Sequence, residues 1–181
     1  MRNLFISLLC LFSASVMAAP NVNVETSVGN FTIELDSKNA PITTENFLKY
    51  VEDGSYEGTV FHRIIRGFMA QGGGFDTDMK QIKTYAPIKN EANNGLKNKK
   101  TTIAMARTSD PDSATRQFFI NYADNDFLDA SEKGAGYAVF GKVTKGFDTI
   151  EKMATQQTAS IGSYHDVPVK AIVITKVTIQ K

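Results

Sequence analysis

Cysteine is almost absent from the 181-residue sequence, which contains only Cys10. That residue lies in a leader-like start, where Met1-Arg2-Asn3 precedes an apolar run from Leu4 to Val16 and a small-residue end at Ala18. A positive start, a short apolar stretch and a small-residue cleavage point form the pattern of a secretory signal peptide. The expectation is therefore a signal peptide at 1–18 and one exported domain at 19–181. The run falls short of the ~20 apolar residues that a membrane span needs, so no membrane association is expected after removal of the leader. Leu9 precedes Cys10 where a lipid-attachment site calls for a small residue. Without Cys10 the chain has no disulfide, no thiol nucleophile and no cysteine metal ligand.

Histidine is scarce as well, and His62 and His165 form no His-Glu-x-x-His pair. A zinc site would need an unusual carboxylate-rich set. No Gly-x-Ser-x-Gly elbow is present, so serine hydrolysis lacks its local signature. Gly72-Gly73-Gly74 is not followed by the Lys-Ser/Thr of a phosphate loop. Asp124 to Glu132 lacks the central glycine and spacing of a calcium loop. No cofactor is expected. Charge of one sign is lacking too: without Arg2, 19 basic residues face 19 acidic ones. That balance argues against nucleic acid or an anionic membrane surface as a partner. Lys97, Lys99 and Lys100 follow the turn signal Asn94-Gly95 and read as a solvated loop.

What is present is mostly β-pattern. Val22 and Val24, then Phe31, Ile33 and Leu35, alternate about Gly29-Asn30 as two strands joined by a turn. Pro41 to Val51 reads as a helix, with Pro41 at its entrance, Gly54 at its exit and Phe47, Leu48 and Val51 on one face. Thr59–Ile65, Phe68–Gln71, Thr101–Ala106, Gln117–Asn121 and Tyr137–Val143 are strand candidates. A second helix is expected over Phe147–Ala154, with Phe147, Ile150 and Met153 inward, and Val167–Ile179 reads as a terminal strand. Residues 75–100 form a polar loop long enough to suggest a function. Many short strands with two helices indicate an all-β barrel or sandwich.

The densest segment is Phe61-His62-Arg63-Ile64-Ile65-Arg66-Gly67-Phe68-Met69-Ala70-Gln71-Gly72-Gly73. Strand alternation would place Phe61, Arg63 and Ile65 on one face and Met69 with Gln71 on one face. An arginine among aromatics is costly as plain core. It is either a site wall that needs a fixed positive donor or an arginine paired with a carboxylate.

This segment resembles the signature of the cyclophilins. The resemblance continues through Ile103-Ala104-Met105-Ala106, Ser113-Ala114-Thr115-Arg116-Gln117-Phe118-Phe119-Ile120, Phe127-Leu128-Asp129 and Tyr137-Ala138-Val139-Phe140-Gly141-Lys142-Val143. Order and spacing hold from about Asn23 to Ile179. The leader, the triple glycine and Pro87-Ile88-Lys89-Asn90-Glu91-Ala92 are most similar to periplasmic cyclophilins of Gram-negative bacteria.

The resemblance implies an all-β fold, a closed eight-stranded antiparallel barrel capped by two α-helices. It implies peptidyl-prolyl cis-trans isomerase activity without a cofactor, on proline-containing polypeptide clients, in the periplasm; a monomer is expected, although the sequence itself is silent on oligomeric state. It places the catalytic arginine at Arg63 and the proline pocket at Phe68, Met69, Phe119 and Leu128. Gln71 would contact the substrate backbone and help position Arg63; together with Phe68 and Phe119 these form the expected catalytic set. The main chain at Arg107, with Ala106 and Gln117, would complete the peptide groove, and His62 would support it. Arg66 stands where many cyclophilins have Pro. Phe127 stands where eukaryotic members often have Trp, which implies weakened cyclosporin binding because Phe lacks the indole donor. Tyr137 replaces a pocket histidine of many eukaryotic relatives. Two other readings are a peptide-binding chaperone or scaffold of the same fold, and a small barrel carrying a lipophilic ligand. The large inward Phe and Ile residues favour a packed interior over the carrier.

Overall fold

A computed structural model of the chain describes residues 19–180. The signal peptide expected at 1–18 lies outside the described residues.

The alternating apolar residues of the N-terminal region form β1 (Asn21–Thr26) and β2 (Gly29–Leu35), which pair antiparallel with Val22, Val24, Phe31, Ile33 and Leu35 inward. Then follow α1 (Pro41–Glu52), β3 (Phe61–Ile65), β4 (Met69–Gly72), β5 (Thr102–Met105), β6 (Phe118–Asn121), β7 (Val139–Lys145) and α2 (Phe147–Met153). The chain ends in β8 (Thr158–Ile161), β9 (Tyr164–Pro168) and β10 (Ile174–Gln180). Eight strands make one antiparallel sheet in the order β10-β1-β2-β7-β5-β6-β4-β3, and β8 and β9 form a separate hairpin.

The sheet curls into a half-barrel, where a closed barrel was expected. Among the described residues its edge strands β3 and β10 share no ladder; the chain just before each is joined by an isolated bridge, Val60 to Val173. Hydrogen bonds from Phe61 N to Ile172 O (2.9 Å) and from Ile174 N to Thr59 O (2.8 Å) reinforce that contact. Beyond it β9, not β10, packs beside β3. The single terminal strand expected at Val167–Ile179 is therefore two elements with different neighbours.

One aromatic core fills the inner face of the sheet. Phe47 of α1 lies 5.1 Å from Tyr56, 5.7 Å from Phe118 and 5.3 Å from Phe140, centroid to centroid. Ile150 and Met153 of α2 enter the same core. Phe47 and Val51 are buried as the helical pattern predicts, Leu48 is only half-buried, and Tyr50 is a buried member that the pattern did not single out.

The long loop over 75–100 pins other elements. Glu91 accepts hydrogen bonds from Ile42 N (3.1 Å), Thr43 N (2.8 Å) and Thr43 Oγ1 (2.7 Å). It thereby satisfies the open donors at the start of α1, where Ala40 has no side chain to cap them. The lysine cluster is solvated and ion-paired: Lys97 with Asp129, Lys99 with Asp124 and Asp126, Lys100 with Glu151.

Candidate active site

The outer face of β3, β4, β6 and β5 carries a second apolar cluster: Met69, Ala104, Phe119, Leu128 and Val139, with Ile65, Phe68, Ala106 and Tyr137 packed against it. Strand register assembles the site. Arg63 lies opposite Gln71, Gln71 opposite Phe119, and Phe119 opposite Ala104. Directly opposed side chains share a face with Cβ atoms roughly 4.5–5.5 Å apart, so Arg63, Gln71 and Phe119 form one row across three strands. The next row pairs Ile65 with Met69.

Arg63 reaches that row because β3 is bulged. Phe61 pairs with Gly72 and Arg63 with Gln71, so two steps on β3 match one on β4. The extra residue, His62, reverses the alternation. Phe61 consequently packs in the inner core with Ile64, while Arg63 and Ile65 face the outer cluster. The expected common face for Phe61, Arg63 and Ile65 is corrected here. The common face for Met69 and Gln71 agrees with the unbulged β4.

A pocket of about 160 Å³ opens on this face, lined by Arg63, Phe68, Met69, Gln71, Ala106, Arg107, Phe119, Leu128 and Tyr137. Its floor is apolar and buried, with Met69, Phe119 and Leu128 each less than a tenth exposed. It is well below the ~300–1,000 Å³ of typical small-molecule sites, a size suited to one small ring. Hollows of about 530 Å³ beside Leu35–Asn39 and about 780 Å³ beside Lys49–Asp53 contain none of these residues.

The polar rim is tied in place. Gln71 Nε2 donates to Gln117 Oε1 at 2.9 Å. Gly74 makes room for that pair, since a Cβ there would collide with the Gln117 side chain. Ala106 N donates to Gln117 O at 2.9 Å. Arg107 turns its side chain away to Gly136 O (3.0 Å) and Thr108 O (2.8 Å), with its guanidinium 4.5 Å from the Tyr137 ring centre. Tyr137 in turn meets Phe119 edge-on at 5.7 Å. Phe127 is 75% exposed at the rim and lies 5.5 Å from Phe68.

Of the twelve residues singled out from sequence, nine line the pocket, and Gln117 and Phe127 adjoin it. His62 does not join them. It is buried against Phe75 (4.6 Å) beneath the β8–β9 hairpin, and its Nδ1 has no hydrogen-bond partner among the described residues. Burial, reinforced by the charge of Arg63, lowers its pKa to about 4, so it is neutral.

Sequence reasoning missed the scaffold behind the pocket. Asn125 Nδ2 donates to Phe68 O (3.0 Å) and Asn121 Oδ1 (2.8 Å), Asn121 Nδ2 to Thr102 Oγ1 (2.9 Å), and Asn98 N to Asp129 Oδ1 (2.8 Å). This network fixes the short 3-10 turn Asp126–Leu128 and with it the positions of Phe127 and Leu128. Three asparagines outside any glycine-rich turn were its available signal.

The site is thus a buried apolar cup the size of one small ring, walled by a half-exposed guanidinium and amides. Comparison with known proteins supplies the class. The model for "Cyclophilin type peptidyl-prolyl cis-trans isomerase/CLD" matches residues 21–179, and the chain belongs to this family of isomerases. It is 54% identical over 170 residues to the peptidyl-prolyl cis-trans isomerase of Acinetobacter baylyi, covering 94% of this chain and 90% of that protein. Peptidyl-prolyl cis-trans isomerase A of Dickeya dadantii is 53% identical over 175 residues, 96% and 92% of the two chains. Isomerase B of Escherichia coli is 49% identical over 163 residues, covering 88% and 99%. Among solved structures, a Cryptosporidium parvum cyclophilin-type isomerase determined in the presence of the dipeptide Ala-Pro superposes with a TM-score of 0.74 at 26% identity. That match covers 89% of this chain and 99% of the other.

Proposed function

We propose that this isomerase turns X-Pro bonds by seating the proline ring on Phe68, Met69, Phe119 and Leu128 and donating from Arg63 to the prolyl nitrogen. The observation that carries this reading is the row Arg63–Gln71–Phe119 beside the apolar cup. Amide resonance sets a barrier of ~18–20 kcal/mol to the rotation. The nitrogen lone pair becomes available to a donor only once the amide twists. A guanidinium stays charged and holds its donors in a fixed plane, so its bond to that nitrogen is stronger at the transition state than in either ground state. The apolar cup lowers the local dielectric and strengthens the interaction. Gln71, Gln117, Ala106 and the Arg107 main chain would hold the peptide while the acyl side rotates. The presence of Ala-Pro in a related structure supports a proline-containing ligand.

The test is cis-to-trans relaxation of an X-Pro peptide with the protein and with Arg63→Ala of verified fold. Catalysis by the first and loss of most of it in the second is the expected result. Equal rates would keep the isomerase and sink the role of Arg63.

The enzyme's clients, on this reading, are exported polypeptides that fold in the periplasm, because residues 1–18 have the composition of a cleavable leader. Cell fractionation with mass determination of the N-terminus checks this; intact, cytoplasmic protein would reject it. We also expect a monomer that binds cyclosporin weakly. Phe127→Trp should tighten cyclosporin several-fold by restoring an indole donor, and an unchanged affinity would remove Phe127 as the cause.

A further inference from the structure

Arg63 has one ion-pair partner among the described residues, Asp166, whose Oδ2 lies 3.9 Å from Nε; both side chains are 42% exposed. Asp166 is far from Arg63 in sequence, and the backbone takes unusual measures to bring it there. In the β8–β9 hairpin, Ala159 pairs with Val167 and Ile161 with Tyr164, so β9 carries an extra residue in this stretch. Within it, Asp166 has φ 60°, the left-handed conformation. Such backbone is unfavourable for a side-chain-bearing residue, although Asp tolerates it better than most. A bulge with a left-handed residue re-aims a side chain. Arg63 is itself re-aimed by the extra residue His62 on β3. Two bulges on neighbouring strands thus turn these two side chains toward each other. The hairpin is anchored alongside by Tyr164, edge-on to Phe75 at 5.1 Å, and by buried Val167 and Pro168.

We propose that Asp166 is a positioning residue for Arg63: its carboxylate steadies the Nε edge of the guanidinium so that the remaining donors are presented to the pocket. The inference rests on the reading of Arg63 as the donor to the twisted amide. A free arginine loses much rotamer entropy when it is ordered, and a carboxylate at its back removes part of that loss before the peptide arrives. At 3.9 Å the contact is a Coulombic tether, beyond hydrogen-bond range. A bidentate fork would occupy the donors that the prolyl nitrogen needs; a tether steers the group and leaves them free. An ordinary surface ion pair contributes little and would not require strained backbone.

The test uses Asp166→Asn, which keeps shape and left-handed tolerance while removing charge, and Asp166→Gly, which removes the side chain and relieves the backbone. In both, kcat for an X-Pro peptide should fall about three- to tenfold with KM changed less than about twofold, because orientation matters most at the twisted amide. In an Arg63→Ala background, Asp166→Asn should leave the residual rate unchanged. Wild-type kcat in both single variants overturns the proposal, as does an equal fold-loss in the Arg63→Ala background. Full activity of Arg63→Ala alone would instead bring down the reading of the site on which the proposal stands.

Discussion

Two arginines, Arg63 and Arg116, show opposite uses of one side chain. Arg116 is 1% exposed. Its Nε donates to Gly73 O at 2.6 Å, Nη1 to Lys83 O at 2.8 Å, and Nη2 to Ser55 O. Its guanidinium lies 4.9 Å from the ring centre of Tyr50 and 5.4 Å from that of Tyr56. Among the described residues no carboxylate comes within 4 Å of it. Burying a charge without a counter-ion is expensive, and here three carbonyls and two π-faces offset the cost. Arg63 has one loose tether and an open side toward an apolar cup. Spent donors make Arg116 a clamp joining the turn after α1, the end of β4 and the long loop. Unspent donors suit Arg63 to the role of a tool proposed for it.

The clamp is the place to break that contrast hardest. Arg116→Met should lower unfolding free energy by about 3–5 kcal/mol, because three buried carbonyls lose their donor together. Per folded molecule at low temperature, kcat should stay within about threefold of wild type, since the side chain points away from the pocket. A urea titration paired with a relaxation assay reads both quantities; a stable variant would mean that the carbonyls find other partners. Arg63→Ala should do the reverse. Its kcat/KM should fall roughly 10²–10³-fold, the 2.7–4 kcal/mol typical of one preorganised donor, with stability shifted by less than about 0.5 kcal/mol as at other exposed positions. A large loss of stability there would erase the distinction between clamp and tool.

Sequence alone could not have separated the two. Arginine is mostly exposed, and nothing local to Arg116 announces that Ser55, Gly73 and Lys83 will present carbonyls to it. Elements with strong local signals were legible: α1 from Pro41, the apolar helical face and Gly54; β5 and β6 from short apolar runs; the pocket residues were legible only through the resemblance of long motifs to a known family. What failed was non-local. The β8 strand, Thr158–Ile161, is exposed throughout and so carries no alternation to read. The bulge at His62 reverses the face of Phe61 without a glycine to mark it. Closure of the sheet depends on which strand lies beside β3, and β9 takes that place. Asp166 meets Arg63 only after two hairpins are assembled, so its relation to the site was invisible.

His62 sharpens the comparison from between the two arginines, as a buried polar group with neither a full set of partners nor access to the pocket. Its pKa of about 4 lies below the ~6.5 of an exposed histidine. Above pH ~6.5 the ring is neutral in both folded and unfolded chains and contributes no pH dependence. As pH falls from there toward 4, the unfolded chain takes up a proton that the folded one refuses, so stability drops. The limiting loss is on the order of 3 kcal/mol, set by the pKa difference. Asp and Glu titration adds its own acid destabilisation, but that part is common to a variant lacking the imidazole. His62→Phe should therefore show a shallower decline in urea midpoint between pH 6.5 and 4.5 than wild type, with little change at pH 7. The same variant should retain kcat within about threefold, because the imidazole does not face the apolar cup. An identical pH slope in both proteins would place the acid sensitivity elsewhere, and a collapse of kcat at pH 7 would show that the bulge needs its imidazole to aim Arg63.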